Sequence, residues 1–74
     1  MTPDEFLRSI PIGTRVVVRY RLDDGRATDA LGHLRARDAE HVVVDTKRGP
    51  DSVALSTVIA AKEVPPPPPP RVAR

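Results

Sequence analysis

Residues 15–37 read RVVVRYRLDDGRATDALGHLRAR, and the fold turns on how this stretch pairs with itself. Val16, Val18, Tyr20 and Leu22 alternate with Arg15, Val17, Arg19 and Arg21. A period of two with β-branched residues marks a half-buried strand. Asp23-Asp24-Gly25 breaks the run, and a second strand begins at Arg26 or Ala27. Loop length then sets the register. A two-residue Asp24-Gly25 loop would place Tyr20 opposite Asp29 and Val16 opposite His33, putting polar groups on the apolar face. A three-residue loop with Gly25 left-handed pairs Tyr20 with Thr28, Val18 with Ala30 and Val16 with Gly32. It also sets Arg19 opposite Asp29 on the outer face. Only this second register keeps both faces consistent, so it is the expected one.

Gly32 falls inside the second strand, where a glycine marks a bend or a close backbone approach. A long strand bent at its centre lets a small sheet curl into a barrel. Further along, HVVVDTK reads as a third strand with Val42 and Val44 facing in. RGPD supplies turn residues, and SVALS reads as a fourth strand with Val53 and Leu55 inward. STV is short enough for a single 3₁₀ turn. IAAKEV follows as a fifth strand; Val58, at the end of that turn, and Ala60 are placed inward. Leu34 and Ala36 complete the inward positions of the second strand. Ahead of all this, Thr2, Pro3 and Glu5 form a Thr-x-x-Glu capping signal, and Pro11 ends the element it opens. Residues 2–10 are therefore read as about two turns of helix, which must pack on something to persist.

The expected fold class is mainly β: a small five-stranded antiparallel barrel, a short N-terminal helix and a disordered proline-rich C-terminal tail. Residues 1–12 form the helix and lead-in, 13–64 the barrel, and 65–74 the linker or tail. Six prolines from Pro65 to Pro70 cannot donate backbone hydrogen bonds and favour an extended polyproline helix. A linker is the reading adopted for them.

Composition excludes several functions. The chain has 74 residues and no cysteine, so thiolate metal sites, disulfides and thiol nucleophiles are out. The N-terminal MTPDEFLRSI resembles neither a signal peptide nor a membrane span, and a cytoplasmic location is expected. Net charge is +2, yet residues 1–64 hold equal numbers of basic and acidic side chains; the excess is Arg71 and Arg74. A nonspecific nucleic-acid binder carries its positive charge on the folded surface.

The segments VVVRYRLDDGRATDALGHL, VVVDTKRG and VIAAKEVPPPPP together resemble the SH3-like, Tudor-like module at the N-terminus of actinobacterial GNAT-type N-acetyltransferases, some of them histone acetyltransferase-like. The likeness covers roughly Gly13 to Pro70, and TDALG and VIAAK followed by prolines are its most telling words. It implies an SH3-like barrel joined by a proline-rich linker to an acetyltransferase domain. No Gln/Arg-x-x-Gly-x-Gly loop for acetyl-CoA occurs in these residues. The resemblance therefore implies a non-catalytic accessory module, for docking or substrate recruitment, with a GNAT acetyltransferase as partner in cis or in trans. No cofactor is expected here; acetyl-CoA would belong to the linked or partner domain.

No catalytic or metal-ligating set stands out. His33 and His41 fall on outward strand positions, and Asp23-Asp24-Gly25 lacks the further oxygen ligands of a calcium loop. Two aromatics cannot build a methyl-cation cage or a proline-recognition groove. What remains is a candidate interaction surface. Arg15, Arg19 and Arg21 share one face of the first strand, Arg35 and Arg37 share the outer face of the second, and Val17 and Leu31 form an apolar spot between. Either the N-terminal helix covers that spot with Phe6, Leu7 and Ile10, which is the expectation, or a neighbouring domain does. The alternative function is a small barrel that binds nucleic acid, weakly, through the arginine face. The charge-neutral domain and the absence of a stacking platform weigh against it.

Overall fold

The computed structural model describes residues 1–65, so the expected disordered tail lies outside the described residues from position 66 onward. The elements run α1 (Pro3–Ser9), β1 (Arg15–Arg21), β2 (Ala27–Arg37), β3 (His41–Thr46), β4 (Gly49–Ala54), a 3₁₀ turn (Leu55–Thr57) and β5 (Val58–Glu63). All five strands form one antiparallel sheet in the order β4-β3-β2-β1-β5.

Helix α1 starts where the capping box placed it. Thr2 Oγ1 accepts from the Glu5 amide at 3.1 Å, and Glu5 Oε1 accepts from the Thr2 amide at 3.0 Å. These bonds satisfy two amides that a helix start leaves open, and they hold the Glu5 carboxyl below its ordinary range. At the other end Ile10 turns extended, as a residue before proline must.

The β1–β2 hairpin has the three-residue loop. Leu22 and Arg26 close it, with the Leu22 amide donating to the Arg26 carbonyl at 2.7 Å. Gly25 sits at φ 89°, which a side chain would make costly. The register is Val16 with Gly32, Val18 with Ala30, Arg19 with Asp29 and Tyr20 with Thr28. In the β2–β3 turn, Asp38 Oδ1 accepts from the amides of Glu40 and His41, each at 2.8 Å. Those two donors hold the Asp38 carboxyl below its usual range.

Gly32 faces inward and is buried against β3, where its missing side chain lets the two backbones close up. Curling is visible between strands that are not neighbours. In a flat sheet β1 and β4 would lie about 14 Å apart, three strand spacings. Yet the Tyr20 hydroxyl donates to Asp51 Oδ2 at 3.0 Å. Burial and this carboxylate together push the Tyr20 phenol up from its usual value.

Inside the curl, Val16, Val18, Leu34, Val42, Val44 and Val53 are essentially inaccessible to solvent. Leu7, Ile10, Ala30 and Leu55 join the same cluster, and Phe6, Tyr20, Val58 and Ala61 pack against it. Val44→Ala should therefore cost about 1 to 3 kcal/mol, because it empties space at the centre. Val43→Ala, whose side chain is only half-buried, should cost less. Urea titration of both variants checks this; equal or reversed losses would contradict the inward assignment of β3.

Two register shifts alter the simple alternation. Between Leu34 and Ala36 the β2–β3 ladder slips: Leu34 pairs with Val44, but Ala36 with Val43. Ala36, expected inward, is consequently exposed, while Arg37 moves to the core side opposite Val42. Between Arg19 and Tyr20 the β1–β5 ladder slips in the same way: Arg19 pairs with Ala60, but Tyr20 with Val58. Ala61 takes the inward place expected for Ala60, which is exposed. One extra residue in a strand turns every later side chain to the other face. Leu22, beyond the end of β1, is 37% exposed rather than inward. β4 begins at Gly49, earlier than its sequence suggests, with Pro50 tolerated because β4 is an edge strand.

Candidate interaction surface

The helix lies on the core side. Its Leu7 is fully buried and Ile10 nearly so, among the inward valines of the sheet. The expectation that α1 covers Val17 and Leu31 is thereby corrected: Leu31 is 44% exposed and Val17 is half-buried. A helix with one apolar face has one choice of surface, and the open inner face offers far more apolar area than two outer side chains.

Arg37 also departs from its expected place beside Arg35 on the outer face. The bulge around Arg35 turns Arg37 toward the helix, where its guanidinium donates to the carbonyls of Leu7, at 3.2 Å, and Ile10. These carbonyls close the C-terminal end of α1 and lack helical partners, so Arg37 acts as a helix cap. Arg8 adds a second tie, donating to the Ala39 carbonyl at 2.8 Å.

On the outer face the pairing brings three strands together. Val17 stands opposite Leu31 on β2 and opposite Lys62 on β5. Arg19 stands opposite Asp29 on β2 and opposite Ala60 on β5. A shallow hollow results, lined by Val17, Arg19, Asp29, Ala60, Ala61 and Lys62. Ala60 and Lys62 had no place in the sequence-based surface. A signal for them exists: strict alternation from Val58 would aim Lys62 into the core, which a lysine resists.

The arginine stripe is largely engaged by its own domain. Arg19 Nη1 meets Asp29 Oδ1 at 3.3 Å, with both side chains about half exposed. Such a pair is worth no more than about 1 kcal/mol. Arg21 donates to the Gly25 carbonyl at 2.8 Å, and Arg15 to the Pro65 carbonyl at 2.7 Å. The Val64 amide bonds the Arg15 carbonyl at 2.8 Å, so the start of β1 holds the end of the described chain. A second hollow lies near that end of β1, lined among others by Arg15, Leu31, His33, Asp45 and Lys47. His33 and His41 are both exposed, and no group of three metal-ligating side chains occurs among the described residues. Among the described residues no helix is long and apolar enough to cross a membrane.

These features define a small, mostly β domain: one curled five-stranded antiparallel sheet with a capped helix closing its core. The chain belongs to the family described as the Rv0428c N-terminal Sm-like domain, whose model matches residues 10–62. The matched span holds all five strands except the last residue of β5. An Sm-like domain is a small β-sheet fold, in agreement with the small β domain expected here. No curated protein and no solved structure matches the chain.

Proposed function

We propose that this domain is a non-catalytic interaction module that serves a GNAT-type N-acetyltransferase, docking on it or presenting substrate to it. The observation that carries the reading is an apolar spot on the outer face that no element among the described residues covers. Val17, Leu31 and Ala60 lie together there, and the domain's own helix is spent on the core. Clustered exposed aliphatic residues mark a contact surface more often than isolated ones do. The acetyltransferase itself enters through the resemblance of TDALG and VIAAK with the proline run. A family described by an N-terminal domain agrees with a module that precedes something else. On this reading acetyl-CoA binds the partner domain, and the chain reaches that domain through the proline run or meets it as a separate protein.

The test is a titration of the ¹⁵N-labelled chain with the acetyltransferase domain encoded downstream of it or beside it. Amide shifts should centre on Val17, Leu31 and Ala60, and Leu31→Asp should weaken binding about tenfold, roughly 1.4 kcal/mol. The absence of an acetyltransferase at that locus, or shifts confined to other faces, would overturn the proposal.

A further inference from the structure

We infer that the hollow between β1 and β5 receives an extended acidic segment of a protein partner, with an aliphatic side chain resting on Val17 and Ala60. The inference deepens the docking reading above and rests on it, because it names the chemistry of what docks.

Charge complementarity is the first argument. The rim of the hollow carries Arg19 and Lys62, with Arg15 further along the same face of β1, against the single carboxylate of Asp29. Asp29 is matched by Arg19. Lys62 makes no ion pair among the described residues, and it projects directly beside Val17. An aliphatic floor with an unmatched ammonium at its edge suits a carboxylate placed next to an aliphatic group.

Geometry is the second argument. Along a strand, residues two apart lie about 7 Å from each other and share a face. Val17 with Lys62, and Arg19 with Ala60, make two such successive rungs of the outer face. An extended segment laid along the hollow repeats at the same interval. It can therefore offer a carboxylate to Lys62 and an aliphatic side chain to the Val17–Ala60 floor in turn.

A nucleic acid fits the face less well. Phe6 and Tyr20 are the only aromatics in the chain, and both pack against the core. The hollow thus offers bases nothing to stack on. The guanidinium groups of Arg15, Arg19 and Arg21 already donate to Pro65, Asp29 and Gly25, which leaves Lys62 as the one unpaired cation lining the hollow among the described residues, enough for a carboxylate beside an aliphatic group and too few for a run of phosphates.

The probe is a blocked nonapeptide of glutamates interrupted by two leucines two positions apart. It is compared with the same peptide carrying glutamine for glutamate, and with a single-stranded RNA of similar length. In ¹⁵N spectra of the chain, the acidic peptide should shift Val17, Ala60 and Lys62. The glutamine peptide should bind at least about tenfold more weakly, and added salt should weaken the acidic peptide. Lys62→Glu, at an exposed position that leaves the core untouched, should cost about tenfold, and Ala60→Asp a similar factor. Equal binding of the glutamine peptide, shifts elsewhere, or no shifts would overturn the inference. Tighter binding of the RNA at the same residues would also overturn it, in favour of a polyanion site. Shifts with the acetyltransferase domain but none with the acidic peptide would remove the partner chemistry and leave docking intact. Peptide binding without any acetyltransferase contact would support the acidic segment and remove only the enzyme association.

Discussion

Gly32→Ala is expected to lower the melting temperature by roughly 12 to 24 °C. A Cβ built on Gly32 would lie 2.0 Å from the Asp45 carbonyl oxygen, 2.7 Å from its carbon and 3.2 Å from the Thr46 Cα. All three are backbone atoms of β3, so no side chain can rotate away to relieve the contact. The strands must separate where the ladder pairs Gly32 with Thr46 and His33 with Asp45. The upper end of overpacking costs, about 3 kcal/mol, applies. For a domain of this size each kcal/mol moves the midpoint by about 4 to 8 °C. Gly25→Ala is the control. Nothing lies within 4 Å of the added atom there, and only the positive φ of 89° is violated. Its cost should be about 1 to 2 kcal/mol. Thermal melts of both variants decide the matter: a Gly32→Ala protein as stable as Gly25→Ala would mean that the β2–β3 contact is looser than described.

Leu7→Ala should remove about 2 to 5 kcal/mol, against a total stability on the order of 5 kcal/mol for so small a domain. Leu7 is fully buried among the sheet valines although it comes from a helix of only 7 residues. Such a helix is unstable alone, so its persistence depends on that burial. The anchor at Arg37 depends on it as well, since Arg37 bonds carbonyls that exist in place only while α1 is docked. Loss of Leu7 should therefore reduce helical circular dichroism along with stability. Phe6→Ala, on a partly buried neighbour, should be milder. Urea unfolding followed at a helical wavelength reads both effects. A loss below about 1 kcal/mol for Leu7→Ala would show that the sheet closes its core without the helix.

Much of the architecture was legible in the chain alone, and for a local reason. The helix start is written in Thr2, Pro3 and Glu5, whose side chains bond amides within three residues. The hairpin register follows from two faces that must each stay consistent through one short loop, and Asp23-Asp24-Gly25 admits only one such solution. Gly32 announced the close approach because a strand interior otherwise has no use for glycine. The outward placing of Val17, Leu31, Arg15, Arg19 and Arg21 came from the same alternation.

Tertiary structure alone decided the remaining features. The bulges at Arg35 and beside Ile59 arise where the sheet must curl tightly enough to enclose Leu34, Val44 and Val53. A bulge adds curvature by inserting one unpaired residue, and its position answers to the partner strand rather than to its own neighbours. Hence Ala36 and Ala60 faced outward against the alternation, and Arg37, still exposed, turned from the outer face to the end of the helix. Lys62 came to stand beside Val17 for the same reason. The helix, likewise, could be read as apolar on one side, but not which face of the sheet it would close. That choice belongs to the larger apolar area, which exists only once the strands have curled around it.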